Sequence, residues 1–207
     1  MTATIRPATI AEPDAVDFAH LANMASHGII ASLLGSTWHD ILVAMYRDDA
    51  TLYRTSHVWF AVEDGEIAGM LCGFSGGDKA ALNEATDRYF ISSPVASDPA
   101  VIAAVAQLAP ISHQIDTVSP DAWYIQFLAV WPERRGRGTA RLLLHHAIDI
   151  AREGETATVE LDVEVDNESA LAAYHRAGFA ITETTPTVRF DMQDRDVGLH
   201  RMVRPLG

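Results

Sequence analysis

Four arginines, Arg134, Arg135, Arg137 and Arg141, fall within eight residues of a chain whose formal net charge is −13. Gly136 and Gly138 stand between them, and the small residues Thr139 and Ala140 follow. Upstream lies an apolar, aromatic-rich run of strand length, Trp123 to Val130. Downstream, Leu142, Leu143, His146, Ala147 and Ile150 give a helix face, with Gly154 beyond its end. A strand ends, a glycine-bearing loop turns and a helix begins. The first N–H groups of a helix have no internal partner, and its dipole favours negative charge beside them. Glycines let the backbone approach an anion closely. The predicted chemistry is a pyrophosphate held by backbone amides, with arginines supplying charge. A solvated loop carrying arginines by chance is the plainer alternative, and the interleaved glycines speak against it. The spacing is neither Gly-x-x-x-x-Gly-Lys-Ser/Thr nor Gly-x-Gly-x-x-Gly, so an ordinary P-loop and a dinucleotide fold are not expected.

Other elements must position this loop. Thr4-Ile5-Arg6 reads as a first strand stopped by Pro7. Pro13 begins a helix with Phe18, Leu21, Ala22 and Ala25 on one face and Gly28 as its stop. Ser36 or Thr37 caps a second, with Trp38, Ile41, Leu42 and Met45 together. His57 to Val62 and Ile67 to Phe74 form a hairpin about Asp64-Gly65, and Gly69, Gly73, Gly76 and Gly77 mark a bulge or bend. Residues 75–121 are expected to be a helical elaboration of one domain, with one helix capped by Asp98, opened by Pro99 and ended by Pro110. Val159, Leu161, Val163 and Val165 alternate with Glu160, Asp162 and Glu164, which predicts a half-buried strand with its carboxylates toward solvent. Asp166 or Asn167 caps a short helix running to about Ala177, and Gly178 ends it. Phe179 to Thr182 and Leu199 to Val203 are the last strands. The alternation is that of an α/β fold with a mixed sheet, and 207 residues suit one domain, 1–207.

Composition narrows the function. Hydrophobic residues make up 48% and charged residues 21%, as in ordinary globular chains. The acidic balance argues against nucleic acid as a partner and is compatible with a cationic amine. No apolar run is expected to reach the roughly 20 residues of a membrane span, and the first residues do not read as a signal peptide. Cys72 is the only cysteine, so an internal disulfide and a cysteine zinc site are excluded. The nine histidines show no metal-binding spacing; His145 and His146 are expected on a helix surface, and no metal is expected. The expectation is a cytoplasmic protein.

At the loop the chain resembles the GNAT family of N-acetyltransferases. The family's Arg/Gln-x-x-Gly-x-Gly/Ala pattern stands here as Arg135-x-x-Gly138-x-Ala140, directly after a strand. A second signature follows in order, Asn167-x-x-Ala170-x-x-x-Tyr174-x-x-x-Gly178-Phe179. The close resemblance covers roughly residues 123–182. It implies a mixed, mostly antiparallel central sheet with splayed parallel strands at the cofactor site, flanked by helices, and it implies acetyl-CoA as cosubstrate.

Residue by residue, the resemblance implies that Leu128, Ala129 and Val130 border the splay, with the Val130 amide and carbonyl bonding the pantetheine arm. The amides of Arg137, Gly138, Ala140 and Arg141 would cradle the pyrophosphate within a loop completed by Arg135, Gly136 and Thr139. Asn167 would reach the arm, or serve as a plain helix N-cap, or both. Tyr174 would be the general acid that protonates the departing thiolate; its plainer reading is a core tyrosine. Tyr124 stands where many relatives carry a glutamate, so the base is open: Gln126 is able to order a water, and Glu160 and Asp162 are alternatives. Trp131 after the strand reads as packing. His27, Trp38 and residues 75–121 are placed by analogy near an acceptor site. The implied reaction is acetyl transfer to an amine of a small molecule or peptide, with a homodimer as the expected assembly. A silent acyl-CoA-binding sensor is the alternative, and a nucleotide-phosphate-binding protein a third.

Overall fold

The computed structural model describes residues 3–207. A seven-stranded sheet runs in the order β1-β2-β3-β4-β5-β9-β6. Its first half is antiparallel: β1 (Thr4–Pro7), β2 (Val58–Glu63), β3 (Glu66–Ser75) and β4 (Ala122–Val130). β5 (Thr158–Glu164) then joins β4 in parallel, and β9 (Leu199–Pro205) and β6 (Ala180–Thr184) continue antiparallel. This is the mixed, mostly antiparallel sheet that the sequence implied.

Helices cover both faces. On one, α1 (Glu12–Ala25) and α3 (Trp38–Arg47) bury Phe18, Leu21, Leu42 and Tyr46 against Phe60, Met70 and Tyr124. On the other, α6 (Thr139–Glu153) packs Leu143, Leu144 and Ala147 against Leu71, Ile125 and Leu161, and α7 (Glu168–Arg176) adds Tyr174. Gly73 is required where β3 passes the Trp123 ring. A Cβ there would lie 2.2 Å from the Trp123 ring, beside the expected bulge in β3 at Cys72/Gly73.

Several elements differ from expectation. A short helix, α2 (Ile29–Leu34), precedes α3; the two meet through a 3-10 turn at Gly35–Thr37. By length and composition Ile29–Arg47 reaches the threshold for a membrane span, with mean hydropathy 1.3, contrary to the expectation of no such run. In the fold its Leu34, Leu42, Met45 and Tyr46 sit in the core. Residues 75–121 hold two helices, not one: α4 (Lys79–Ile91) and α5 (Pro99–Asp116). Pro110 does not end α5. The ring costs the helix one hydrogen bond, but Leu108 and Ile111 are anchored on Phe190, Val197 and Leu199. A small hairpin, β7 (Val188–Phe190) with β8 (Arg195–Val197), supplies part of that anchor and had no sequence signal.

Candidate active site

β4 and β5 pair only from Ala122 to Ile125 against Thr158 to Leu161, and beyond that they part. The gap opens into a cavity of about 1470 Å³. That exceeds the several hundred cubic ångströms usual for one small ligand, so it has room for two. All the sequence-predicted site residues except Arg137 line it. Gln126, within the parted stretch, also lines it, and its Oε1 is buried with no partner among the described residues.

At one end lies the loop. Gly136 and Gly138 take φ of 76° and 89°, and a Cβ on either would meet nothing within 4 Å. The backbone there is bare to an approaching ligand, and only glycine adopts it without strain. None of the amides from Gly136 to Arg141 meets a backbone acceptor outside the helix among the described residues, and the first turn of α6 offers none within it. A helix N-terminus with bare amides fits a pyrophosphate.

The arginines divide, which corrects the picture of a four-arginine anion site. Arg134 and Arg137 reach Glu63 at 3.2 and 3.1 Å, and Arg134 also binds Glu66. The β2–β3 hairpin, distant in sequence, supplies these carboxylates. Arg137 therefore contributes its amide alone. Arg135 donates from Nε to the Val130 carbonyl at 3.1 Å, which occupies one of that oxygen's two lone pairs.

Next along the cavity is the start of α7. Asn167 caps the helix, accepting from the Ala170 amide at 3.2 Å, and its Nδ2 lies 3.3 Å from His27 Nε2. The N-cap reading holds, and the same side chain lines the cavity. His27 Nδ1 lies 2.9 Å from Glu164, which Arg195 grips with both guanidinium nitrogens at 2.7 and 2.9 Å. Burial raises the Glu164 pKa, but the hydrogen bonds from His27 and Arg195 win and hold it down to about 2. Tyr174 is 8% exposed, and its ring is tilted against that of Phe179 with centroids 6.0 Å apart. Burial pushes its hydroxyl up to about 12, so it keeps its proton at neutral pH.

The far end is roofed by α4 and α5. The β5 carboxylates do not face solvent as expected: Glu160 and Glu164 are 7% and 9% exposed, the first held by Arg201 and the second by His27 and Arg195. Asp162 accepts from Tyr124 Oη at 2.7 Å, Gln114 Nε2 at 2.7 Å, and Arg201 Nε and Nη2 at 2.8 and 2.9 Å. Arg201 also holds Glu160 at 3.1 Å and binds the carbonyls of Gln114 and Thr117. Four donors on one carboxylate leave it no lone pair for a substrate proton. Asp162 and Glu160 are therefore structural, and the question of a base moves elsewhere. The predicted neighbours divide too. His27 lines the cavity, whereas Trp38 packs on His20 and His39 outside it, and Trp131 packs against the α1 side of the core. His146 is half-buried against Trp59 at 5.7 Å rather than on the surface.

Sequence reasoning passed over Lys79, which also lines the cavity. The signal was available: it is the only lysine in the chain.

Comparison with known proteins agrees with this geometry. The model of the acetyltransferase (GNAT) family matches residues 29–179. A streptothricin acetyltransferase from Streptomyces lavendulae is 35% identical over 112 residues, 52% of this chain and 52% of that protein. The N-alpha-acetyltransferase RimI of Mycobacterium tuberculosis is 34% identical over 78 residues, 38% of this chain and 41% of that protein. The matches thus span about half or less of these relatives. An acetyltransferase from Bacillus subtilis solved in complex with CoA superposes with a TM-score of 0.58 at 14% identity, covering 100% of both chains. With the family model matched over well more than half its length, by a splayed sheet and a loop of bare amides, the chain belongs to the GNAT acetyltransferase family.

Proposed function

We propose that the protein transfers an acetyl group from acetyl-CoA to a primary amine of a small molecule or peptide. The observation that carries this is the run of unpartnered amides from Gly136 to Arg141 at the mouth of a cavity that continues past Tyr174. The loop amides and the Arg141 side chain bind the pyrophosphate, and the open edge of Leu128 to Val130 and the orphaned Gln126 Oε1 receive the pantetheine arm. Acetyl-CoA supplies an acyl group activated as a thioester. Tyr174 Oη, buried and protonated, donates its proton to the departing sulfur. The apolar walls of the cavity exclude water, which limits hydrolysis of the thioester.

The acceptor enters from the side roofed by α4 and α5, where Asp87 and Asp116 line the wall and draw a cationic amine. The streptothricin relative supports a small-molecule acceptor and the N-alpha relative a peptide one. Calorimetric titration with acetyl-CoA tests the reading, beside a Gly138→Trp variant. The parent is expected to bind, and the still-folded variant to lose about 100-fold or more, since each amide bond to a charged group is worth about 1.5–3 kcal/mol. An absence of binding by the parent overturns the proposal.

A further inference from the structure

We propose that Lys79 is the base that takes the proton from the incoming amine, an inference that rests on the acyl-transfer reading above. An amine enters as an ammonium and must lose a proton before its nitrogen can attack. The groups lining the cavity differ sharply in their freedom to accept one. Asp162 has four donors. Glu164 is held by His27 and Arg195, and His27 by Glu164 and Asn167. Asp116 accepts from Asn83 at 3.2 Å, and Asp87 and His145, which also line the cavity without a partner among the described residues, stand on the exposed sides of α4 and α6. Lys79 is 3% exposed and has no ion pair or hydrogen bond among the described residues.

Its setting favours a neutral amine. Lys79 is the first residue of α4, where the helix dipole opposes positive charge. Its Nζ lies over the rings of Tyr124 and Phe74, 5.1 and 5.5 Å from their centroids. Those rings favour the cation, as do Asp116 and Asp162 and, more weakly, Asp87, while Arg201 opposes it. Burial outweighs them and pushes the ammonium down to about 8. A general base works best with a pKa near the working pH.

In the step itself the acceptor N–H bond breaks and its proton joins the lone pair on Lys79 Nζ. The freed nitrogen pair forms the new C–N bond as the C–S bond breaks, and the sulfur takes the Tyr174 proton. The acylated nitrogen then sheds its second proton, which restores Tyr174 through solvent, and Lys79 loses its own proton to solvent.

Because the chain has one lysine, a protein grown with lysine carrying ¹³C at Cε gives a single side-chain signal. Its titration, without cofactor, is expected to have a midpoint of about 8. A midpoint above about 10, the ordinary lysine value, overturns the inference. Thiol release from acetyl-CoA is then followed with cadaverine, lysine amide and an alanyl tripeptide as probes. kcat/KM is expected to climb about tenfold per pH unit to a plateau at that midpoint. Lys79→Met and Lys79→Arg are each expected to lose about 100-fold and the pH limb, with acetyl-CoA affinity unchanged. A Lys79→Arg variant as active as the parent shows that charge alone matters and overturns the assignment, as does an active Lys79→Met. No binding of acetyl-CoA and no thiol release by the parent sink the acyl-transfer reading itself. An active parent with an ordinary lysine titration sinks only the base.

Discussion

At its loop end the cavity presents backbone: six consecutive amides, from Gly136 to Arg141, exposed by two glycines at positive φ. At its roofed end it presents side chains drawn from α4, α5, β4, β5 and β9, joined by Arg201 through Asp162, Glu160 and the carbonyls of Gln114 and Thr117. The first end is made by a few neighbouring residues whose conformation is local. The second exists only when distant segments meet. The pyrophosphate of the proposed cosubstrate suits the local construction. An acceptor that varies between relatives suits the assembled one, because side chains from several elements are exchangeable singly.

The contrast predicts which end fails, and how, when its parts are removed. Arg201→Met leaves Asp162 and Glu160 buried without their cation, and is expected to cost about 3–5 kcal/mol in urea unfolding while the loop keeps its acetyl-CoA affinity. Equal loss of cofactor affinity in a folded variant would show that the two ends are not separate. Glu164 ties β8 to the α7 cap through Arg195 and His27, and its pKa of about 2 lies below the ordinary 4.5. A depressed carboxylate stabilises the fold above its unfolded pKa. Its contribution is therefore complete above about pH 5 and lost as the pH falls from 4.5 toward 2. Glu164→Gln is expected to cost about 3 kcal/mol at neutral pH and to flatten the acid limb of the stability profile.

Tyr174→Phe probes the point where the two ends meet. Turnover is expected to fall about 100-fold, with acetyl-CoA affinity within about threefold of the parent. Unchanged turnover would leave Tyr174 as a core residue packed on Phe179. The smallest effect is expected at Asn167. Asn167→Ala removes the cap and costs about 1 kcal/mol of thermal stability. Asn167→Asp keeps a capping oxygen and loses the amide facing His27. A drop in cofactor affinity in both variants would show that the amide also serves the cofactor.

Legibility followed the same division. The loop, its helix, the hairpin and the capped α7 could be read because glycine, proline and cap residues act within a few positions. α4 was invisible because its residues mix polar and apolar without a clean stripe, and its order comes from burial of Leu82 and Ala85, with Leu82 joining the core cluster of α1 and α3. Pro110 was read as a stop because local rules make it one; the anchor that overrides it comes from β8 and β9. Glu160 and Asp162 were read as outward-facing because strict alternation assumes one covered face, whereas Arg201 and Gln114 cover the other.

The sequence by itself determined the family, the order of the sheet-forming elements and the glycine-bearing loop before α6, since those depend on short-range backbone geometry. Only the tertiary structure decided that Arg134 and Arg137 belong to Glu63, that Asp162 is bound on all sides, and that Lys79 is buried against the cavity without a partner among the described residues. Pairing of buried charges is a contest among groups brought together by folding, and no spacing along the chain records its outcome.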